Sequence, residues 1–394
     1  MSRILAGRLL VPACLLFLAG CAAGGAKKPA ARPLRTAIDA APVVLPAQLI
    51  GNYLVVETKW DRFGPYRFVI DTGSSVTLMT PALVRRYGEQ PPGAAARRVM
   101  GPDGQIIELP AGAMRRLELG GARFGDVPVL LYDCAPLSAH LGVRIDGVLG
   151  FPLFRELLLT LDYPGSRVVL RRARDAPLPP GITIPFDDGR NTPLVPVRLG
   201  ERTFVALIDS GSDMAFSLNP VGLAPQFAVG PTAGGTVGTI AGDRAQRIGR
   251  LSESLALGSQ LFARPIVDLS DELSAIGAGA LQYFAVTFDQ ARDRVTFFRD
   301  STEPIVMPAR RSAGMSFSKT PAYWRVASVV PKSAAEVAGI RHGDLVVRIN
   351  GEPVARWDLN RYDELVGTAP EIAFTFLQGS AENEKRVAVF ELVP

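Results

Sequence analysis

Two short runs hold the residues of this chain best suited to chemistry: Asp71-Thr72-Gly73-Ser74 and Asp209-Ser210-Gly211-Ser212. Each ends an apolar, strand-like stretch, Phe68-Val69-Ile70 in the first case and Val205-Ala206-Leu207-Ile208 in the second. Two carboxylates held close together cannot both ionise, so they keep one proton between them and titrate as a pair. The charged member can take a proton from water while the protonated one hydrogen-bonds a carbonyl. The flanking residues fit that task. Gly73 and Gly211 let main-chain amides come close to the carboxylates. Thr72 and Ser210 offer short hydroxyls that can tie the two loops together. Ser74 and Ser212 can hydrogen-bond the outer carboxylate oxygens. The expected catalytic pair is therefore Asp71 and Asp209, supported by Thr72, Gly73, Ser74, Ser210, Gly211 and Ser212.

Other chemistries have less to work with. The chain has two histidines, His140 and His342, and neither sits in a nucleophile-elbow or zinc-ligand pattern. Both read as surface or packing residues. Gly277-Ala278-Gly279 lacks the third glycine of a dinucleotide loop. No metal or cofactor is expected. Of three cysteines, Cys14 and Cys21 lie near the N-terminus, which leaves Cys134 alone and reads it as a small buried hydrophobe. The net charge is a modest +5, and no basic run is interleaved with aromatic residues, so no nucleic-acid partner is expected.

The surrounding pattern is mostly β. Tyr53-Leu54-Val55-Val56 precedes the strand that delivers Asp71, with a turn expected over Asp61 to Pro65. A hairpin is expected from Arg98-Val99-Met100 through Gly101-Pro102-Asp103-Gly104 to Gln105-Ile106-Ile107, and another from Leu158–Asp162 to Val168-Val169-Leu170. The second half repeats the order. Leu194-Val195-Pro196-Val197 leads to the strand that delivers Asp209, and a second hairpin turns near Ala241-Gly242-Asp243. Thr287-Phe288-Asp289 mirrors Thr160-Leu161-Asp162, and the same ungapped alignment pairs Leu149-Gly150 with Ile276-Gly277. The boundary between the halves falls in the Pro-rich stretch Ala176–Gly181.

An Asp-Thr/Ser-Gly triplet followed later by two apolar residues and a glycine resembles the signature of pepsin-like and retropepsin-like aspartic peptidases. Here the elements are Asp71-Thr72-Gly73 with Val148-Leu149-Gly150, and Asp209-Ser210-Gly211 with Ala275-Ile276-Gly277. The resemblance covers residues 45–302, and the compact halves look more like a fused retropepsin pair than a full pepsin. It implies a two-lobed acid-protease β-barrel fold with duplicated lobes, 47–175 and 182–303. It also implies an apolar-Gly element supporting each Asp loop from below, and aspartic-type endopeptidase activity on peptide or protein substrates. The chain departs from the pattern at Asp213, which stands where the first half has Ser75, and in the Val99–Ile107 hairpin, which carries no Tyr.

Residues 310–394 resemble a small α/β PDZ domain. Gly314-Met315-Ser316-Phe317 matches that family's carboxylate-binding loop and is the expected peptide-binding element. Ala338-Gly339-Ile340, Gly343-Asp344-Leu345 and Ile349-Asn350-Gly351 match its turns. A short helix is expected after Pro331, and a second at about Leu359 to Val366, beside which a peptide would add as a strand.

At the N-terminus, Arg3 and Arg8 precede the apolar stretch Leu9–Leu18, which is short for a permanent span. Its ending, Leu18-Ala19-Gly20-Cys21, resembles a bacterial lipobox. That implies a signal peptide over 1–20, lipidation at Cys21, and a membrane anchor. The cell envelope is the expected location, at the periplasmic face of the outer membrane if the cell is Gram-negative. Residues 21–46, rich in Ala, Gly and Pro, read as a flexible tether. The combined expectation is an envelope endopeptidase with a docking module. The competing readings are a catalytically inactive peptide-binding scaffold of the same fold and a self-cleaving regulator.

Overall fold

The computed structural model describes residues 32–38, 42–60, 63–90, 93–100, 106–173, 179–239 and 242–394. The expected signal segment, Cys21 and the turn at Gly101–Gly104 lie outside these residues. The described chain is mostly β, with two similar lobes and a smaller α/β unit.

The strand Phe63–Asp71 ends in Phe68, Val69 and Ile70, all buried, so it reads as a continuous apolar run because both its faces are covered. It pairs in parallel with Gly147–Gly150, which places Gly150 opposite Asp71. Thr77–Met79 pairs antiparallel with the other edge of that short strand. The second lobe repeats the arrangement. Arg202–Asp209 pairs in parallel with Ala275–Gly277, Gly277 lies opposite Asp209, and Phe216–Leu218 closes the other side. The apolar-Gly elements thus lie where the sequence repeat puts them.

A six-strand layer joins the lobes, in the order Ile182–Pro185, Arg294–Phe298, Ala285–Asp289, Leu157–Asp162, Arg167–Arg172 and Val43–Ile50. Its centre is the antiparallel pair Leu157–Asp162 and Ala285–Asp289, in which Thr160 faces Thr287. Fully buried Phe151, Phe154, Phe284, Phe288 and Phe297 fill the adjoining core, and Phe151 meets Phe288 edge to face at 5.4 Å.

The expected hairpins form, with Arg97–Met100 paired to Ile106–Leu109 and Phe227–Thr239 paired to Gly242–Leu251. The flexible tether is corrected over its second half. Arg35–Ile38 pairs with Ala122–Gly125, and Val43–Ile50 pairs with both Arg167–Leu170 and Tyr53–Val56. Val43 and Leu45 are buried while Val44 and Pro46 are exposed, a period-2 alternation that suits a strand with one covered face. The expected turn at Asp61–Pro65 is also shorter, since Phe63 already belongs to the strand ending at Asp71.

The C-terminal unit has its own sheet, ordered Met315–Lys319, Trp324–Val329, Leu345–Ile349, Glu371–Gln378 and Ala381–Ala388. Its core packs Phe317, Trp324, Tyr362 and Phe374. The helix Leu359–Thr368 starts where the Asp358 carboxylate accepts the Arg361 amide at 2.8 Å. The expected loop Gly314–Phe317 is corrected in part. Gly314 occupies a left-handed turn at φ +77, but Met315, Ser316 and Phe317 open the edge strand. This unit is not held apart from the lobes. Asn360 accepts the Gly51 amide at 3.1 Å and donates to the Leu49 carbonyl at 2.6 Å. Lys319 donates to the His140 carbonyl at 2.7 Å, and Arg250 of the second lobe binds the Pro394 carbonyl.

Candidate active site

The two Asp loops cross-link each other through reciprocal hydrogen bonds. The Thr72 amide donates to Ser210 Oγ at 3.0 Å, and the Ser210 amide donates to Thr72 Oγ1 at 3.0 Å. The same hydroxyls then donate onward, Thr72 to the Ile208 carbonyl at 2.7 Å and Ser210 to the Ile70 carbonyl at 2.8 Å. Thr72 and Ser210 have no exposed surface, so four buried backbone groups are satisfied by two side chains.

The loops present their carboxyls to one another. A Cβ added to Gly73 would overlap the Asp209 carboxyl, and one added to Gly211 would overlap that of Asp71. The glycines are thus required by closeness, since neither needs a left-handed backbone. Asp71 Oδ1 accepts the amides of Gly73 at 2.8 Å and Ser74 at 3.0 Å, and Asp209 Oδ1 accepts the amide of Gly211 at 2.9 Å. Ser74 thus reaches Asp71 through its amide, while its hydroxyl donates to the Val76 carbonyl at 2.8 Å. Ser212 bonds Asp209 through the main chain, from its amide to the Asp209 carbonyl at 3.3 Å. The expected hydroxyl contact from Ser74 to the carboxylate is corrected accordingly.

Beneath the loops, the glycines opposite the two Asp residues leave no room for side chains. A Cβ on Gly150 would overlap the Val76 carbonyl, and one on Gly277 the Met214 carbonyl. That close packing fixes the height of each loop.

Both carboxyls are pushed up from the usual carboxylate range. For Asp71 the first cause is burial and the second is the charge of Asp209. For Asp209 burial again leads, opposed by the Gly211 amide and the Asp71 hydrogen bond, while the charge of Asp213 adds to the rise. A pair arranged this way keeps one proton through conditions in which free carboxylates have lost theirs.

The pair sits in a cavity of about 1730 Å³. Its walls include three groups that the sequence did not assign to the site. Tyr53, 4% exposed, has its phenol held well above the ordinary value, by burial first and then by the charges of Asp213, Asp209 and Asp71. Its ring meets that of His140 edge to face at 6.4 Å, the packing role expected for that histidine. Lys319 is nearly enclosed and burial lowers its pKa to about 8. Asp363 lines the cavity from an exposed position, and partial loss of water around its carboxyl, with the charge of Asp213, raises its pKa to about 6 against the pull of Lys319. Asp213, the departure from the sequence pattern, faces inward. Its Oδ1 is buried with no hydrogen-bond partner among the described residues, and Asn52 donates to its carbonyl at 3.3 Å. Tyr53 carried no signal beyond its strand pattern. Lys319 and Asp363 belong to the C-terminal unit and reach the site only through docking.

Cys134 is buried, and burial pushes its thiol up to about 12, as suits a packing residue. Among the described residues no group of three or more His, Cys, Asp or Glu is placed to hold a metal.

Comparison with known families gives two matches. Residues 59–153, which contain Asp71 and Gly150 but not Asp209, match an aspartyl protease family, and residues 325–373 match the PDZ domain family. No curated protein matches the chain. Among solved structures, a PDZ domain protein from Parabacteroides distasonis is similar at 22% identity and a TM-score of 0.19. The alignment covers 21% of this chain and 21% of that one, so the chain spans about a fifth of that relative's length. The chain thus carries an aspartyl protease domain and a PDZ domain, docked against one another.

Proposed function

We propose that this protein is an aspartic endopeptidase of the cell envelope, built as a fused pair of retropepsin-like lobes with a PDZ module that docks substrates. The observation that carries the reading is the reciprocal Thr72–Ser210 cross-link, which brings Asp71 and Asp209 together from two separate lobes. Such a link suits a reaction that needs two carboxyls at one point.

In this mechanism a water lies between the carboxyls. The pair shares one proton and titrates as a unit, both members pushed up first by burial; with that proton on Asp71, Asp209 is the charged member. Asp209 takes a proton from the water as its oxygen bonds to the scissile carbonyl carbon, and Asp71 gives its proton to the carbonyl oxygen. The tetrahedral intermediate then collapses. The C–N bond breaks, Asp209 returns its proton to the leaving nitrogen, and Asp71 recovers one from the intermediate. The amides of Gly73, Ser74 and Gly211 hold one oxygen of each carboxyl still throughout.

The location rests on the N-terminal pattern, in which Arg3 and Arg8, a short apolar stretch and Leu18-Ala19-Gly20-Cys21 support lipidation at Cys21. Labelling with a clickable fatty acid tests it. Wild type should take the label and Cys21→Ser should not; labelling of Cys21→Ser would sink the anchor. For the activity, Asp71→Asn and Asp209→Asn are each expected to fold normally and lose peptide hydrolysis. Undiminished hydrolysis in either variant would remove the dyad from the mechanism and favour the scaffold.

A further inference from the structure

Ser75 and Asp213 stand at equivalent points, one on each lobe. The Ser74 carbonyl accepts the Phe151 amide at 2.9 Å, and its counterpart, the Ser212 carbonyl, accepts the Ala278 amide at 2.7 Å. The next residue of each loop, Ser75 in one and Asp213 in the other, lines the cavity that holds the dyad. A two-fold arrangement of loops thus carries a neutral hydroxyl on the first-lobe side of the dyad and a carboxylate on the second-lobe side. An extended chain lying across the dyad meets the two lobes on opposite sides of the bond to be cut, so it meets that charge on one side only.

The backbone around Asp213 is held firmly. Asn52 of the first lobe donates to its carbonyl at 3.3 Å, and the Met214 carbonyl accepts the Gly279 amide at 3.2 Å. The carboxylate is not matched in the same way. Its Oδ1 is buried, and no hydrogen bond reaches it among the described residues. A carboxylate oxygen taken from water with no donor in return is unfavourable, and a donor brought by a ligand relieves it. Four cations on the same cavity wall already have partners. Arg244 binds Asp268, Arg310 the Met214 sulfur, Arg311 the carbonyls of Gly367 and Ala369, and Lys319 the His140 carbonyl. The group that suits Asp213 is therefore a cation carried by the substrate.

We infer that Asp213 is a specificity residue: it binds a lysine or arginine side chain of the polypeptide substrate on the second-lobe side of the scissile bond. The substrate class is polypeptides that carry a basic residue close to the cut, on one flank alone. The inference rests on the endopeptidase reading above and adds to it which bonds are chosen. The same replacement of Ser75 by an acid in the second lobe that departs from the repeat is, on this account, what makes a two-fold cleft read its substrate in one direction.

The test uses the whole protein and pairs of synthetic peptides that differ at one position, lysine in one and norleucine in the other. Norleucine keeps the four-carbon stem and lacks the ammonium. The position is moved step by step along both sides of a cleavable bond. In the wild type, kcat/KM for the lysine peptide should exceed that for norleucine roughly tenfold or more at a position on one side, with parity at the mirror position. Asp213→Asn should bring the pair to parity, while Asp213→Glu, which keeps the charge, should retain a lysine preference. Ser75→Asp should create a second preference at the mirror position. A purely structural role would lower both peptides alike and leave their ratio where it was. Parity at every position in the wild type, equal preference on both sides, or a ratio that survives Asp213→Asn would overturn the assignment. Calorimetry of the same peptides on Asp71→Asn separates the two claims. Tighter binding of the lysine peptide there, lost when Asp213→Asn is added, keeps the assignment even if the wild type cleaves nothing and the endopeptidase reading falls. Hydrolysis that Asp71→Asn abolishes, with lysine and norleucine at parity, sinks the role of Asp213 alone.

Discussion

Thr160 and Thr287 face each other across the central strand pair, their hydroxyls 2.9 Å apart. Their segments are also the ones that mirror each other in the sequence repeat. The chain therefore pairs equivalent residues with one another, as it must where an approximate two-fold axis passes between the lobes. Thr72 and Ser210 repeat that relationship at the top of the layer, and it is there that the axis has chemical consequences.

Removing one of the two loop hydroxyls should cost both stability and activity. Thr72→Ala leaves the buried Ser210 amide without its acceptor, and Ser210→Ala does the same to the Thr72 amide. Each should destabilise the protein by about 1–3 kcal/mol. The double variant should cost less than the sum, because the two side chains share one network. Urea unfolding of the two singles, the double and Thr72→Ser, which keeps the hydroxyl, checks this. Strict additivity would contradict it.

Gly211→Ala and Gly73→Ala should abolish hydrolysis with little change in secondary structure. In each case the new methyl group would occupy the space of the opposite carboxyl. Steady-state kinetics alongside circular dichroism tests this, and a Gly211→Ala enzyme with wild-type kcat would show that the carboxyls need not approach so closely.

The pH profile follows from the direction of the two carboxyl shifts. Activity needs one proton on the pair, and burial raises both groups above the ordinary value of 3.8. Activity should therefore persist as pH rises through that value and fall only when the shared proton is lost. It should also fall on the acid side, when both carboxyls are protonated. A kcat/KM profile that collapses as pH rises past 3.8 would contradict the shared proton.

Lys319 gives a second pH signature, this time in stability. Its folded pKa is about 8, below the ordinary 10.5, because burial disfavours the charged form. Between these values the unfolded chain binds more protons than the folded one, so this group's contribution to stability rises with pH across that window and is at its least below it. Compared with Lys319→Met, the wild type should thus gain relative stability from about pH 8 upward. Parallel stability curves for the two proteins over that range would show that Lys319 is not enclosed at the cleft.

The residues that do the chemistry and the strands that carry them were legible because their signals are local. Phe68-Val69-Ile70 before Asp71 is a buried central strand, and Leu149-Gly150 against Ile276-Gly277 is a repeat visible without coordinates. The strands Arg35–Ile38 and Val43–Ile50 were hidden by Ala- and Pro-rich surroundings, and their partners lie far along the chain. The Ser74 hydroxyl was misassigned because its own loop offers a nearer acceptor in the Val76 carbonyl. The role of Lys319, Asn360 and Asp363 in lining the cleft could not be read at all. It depends on how one folded unit sits on another, and no periodicity or motif encodes that.

The most direct test of the central claim is titration with a statine-type inhibitor, whose hydroxyl takes the place of the water between the carboxyls. Calorimetry should show one inhibitor per chain, loss of peptide hydrolysis at saturation, and loss of binding in both Asp71→Asn and Asp209→Asn. Hydrolysis continuing at full rate with the inhibitor bound, or binding indifferent to both substitutions, would contradict a site formed jointly by Asp71 and Asp209.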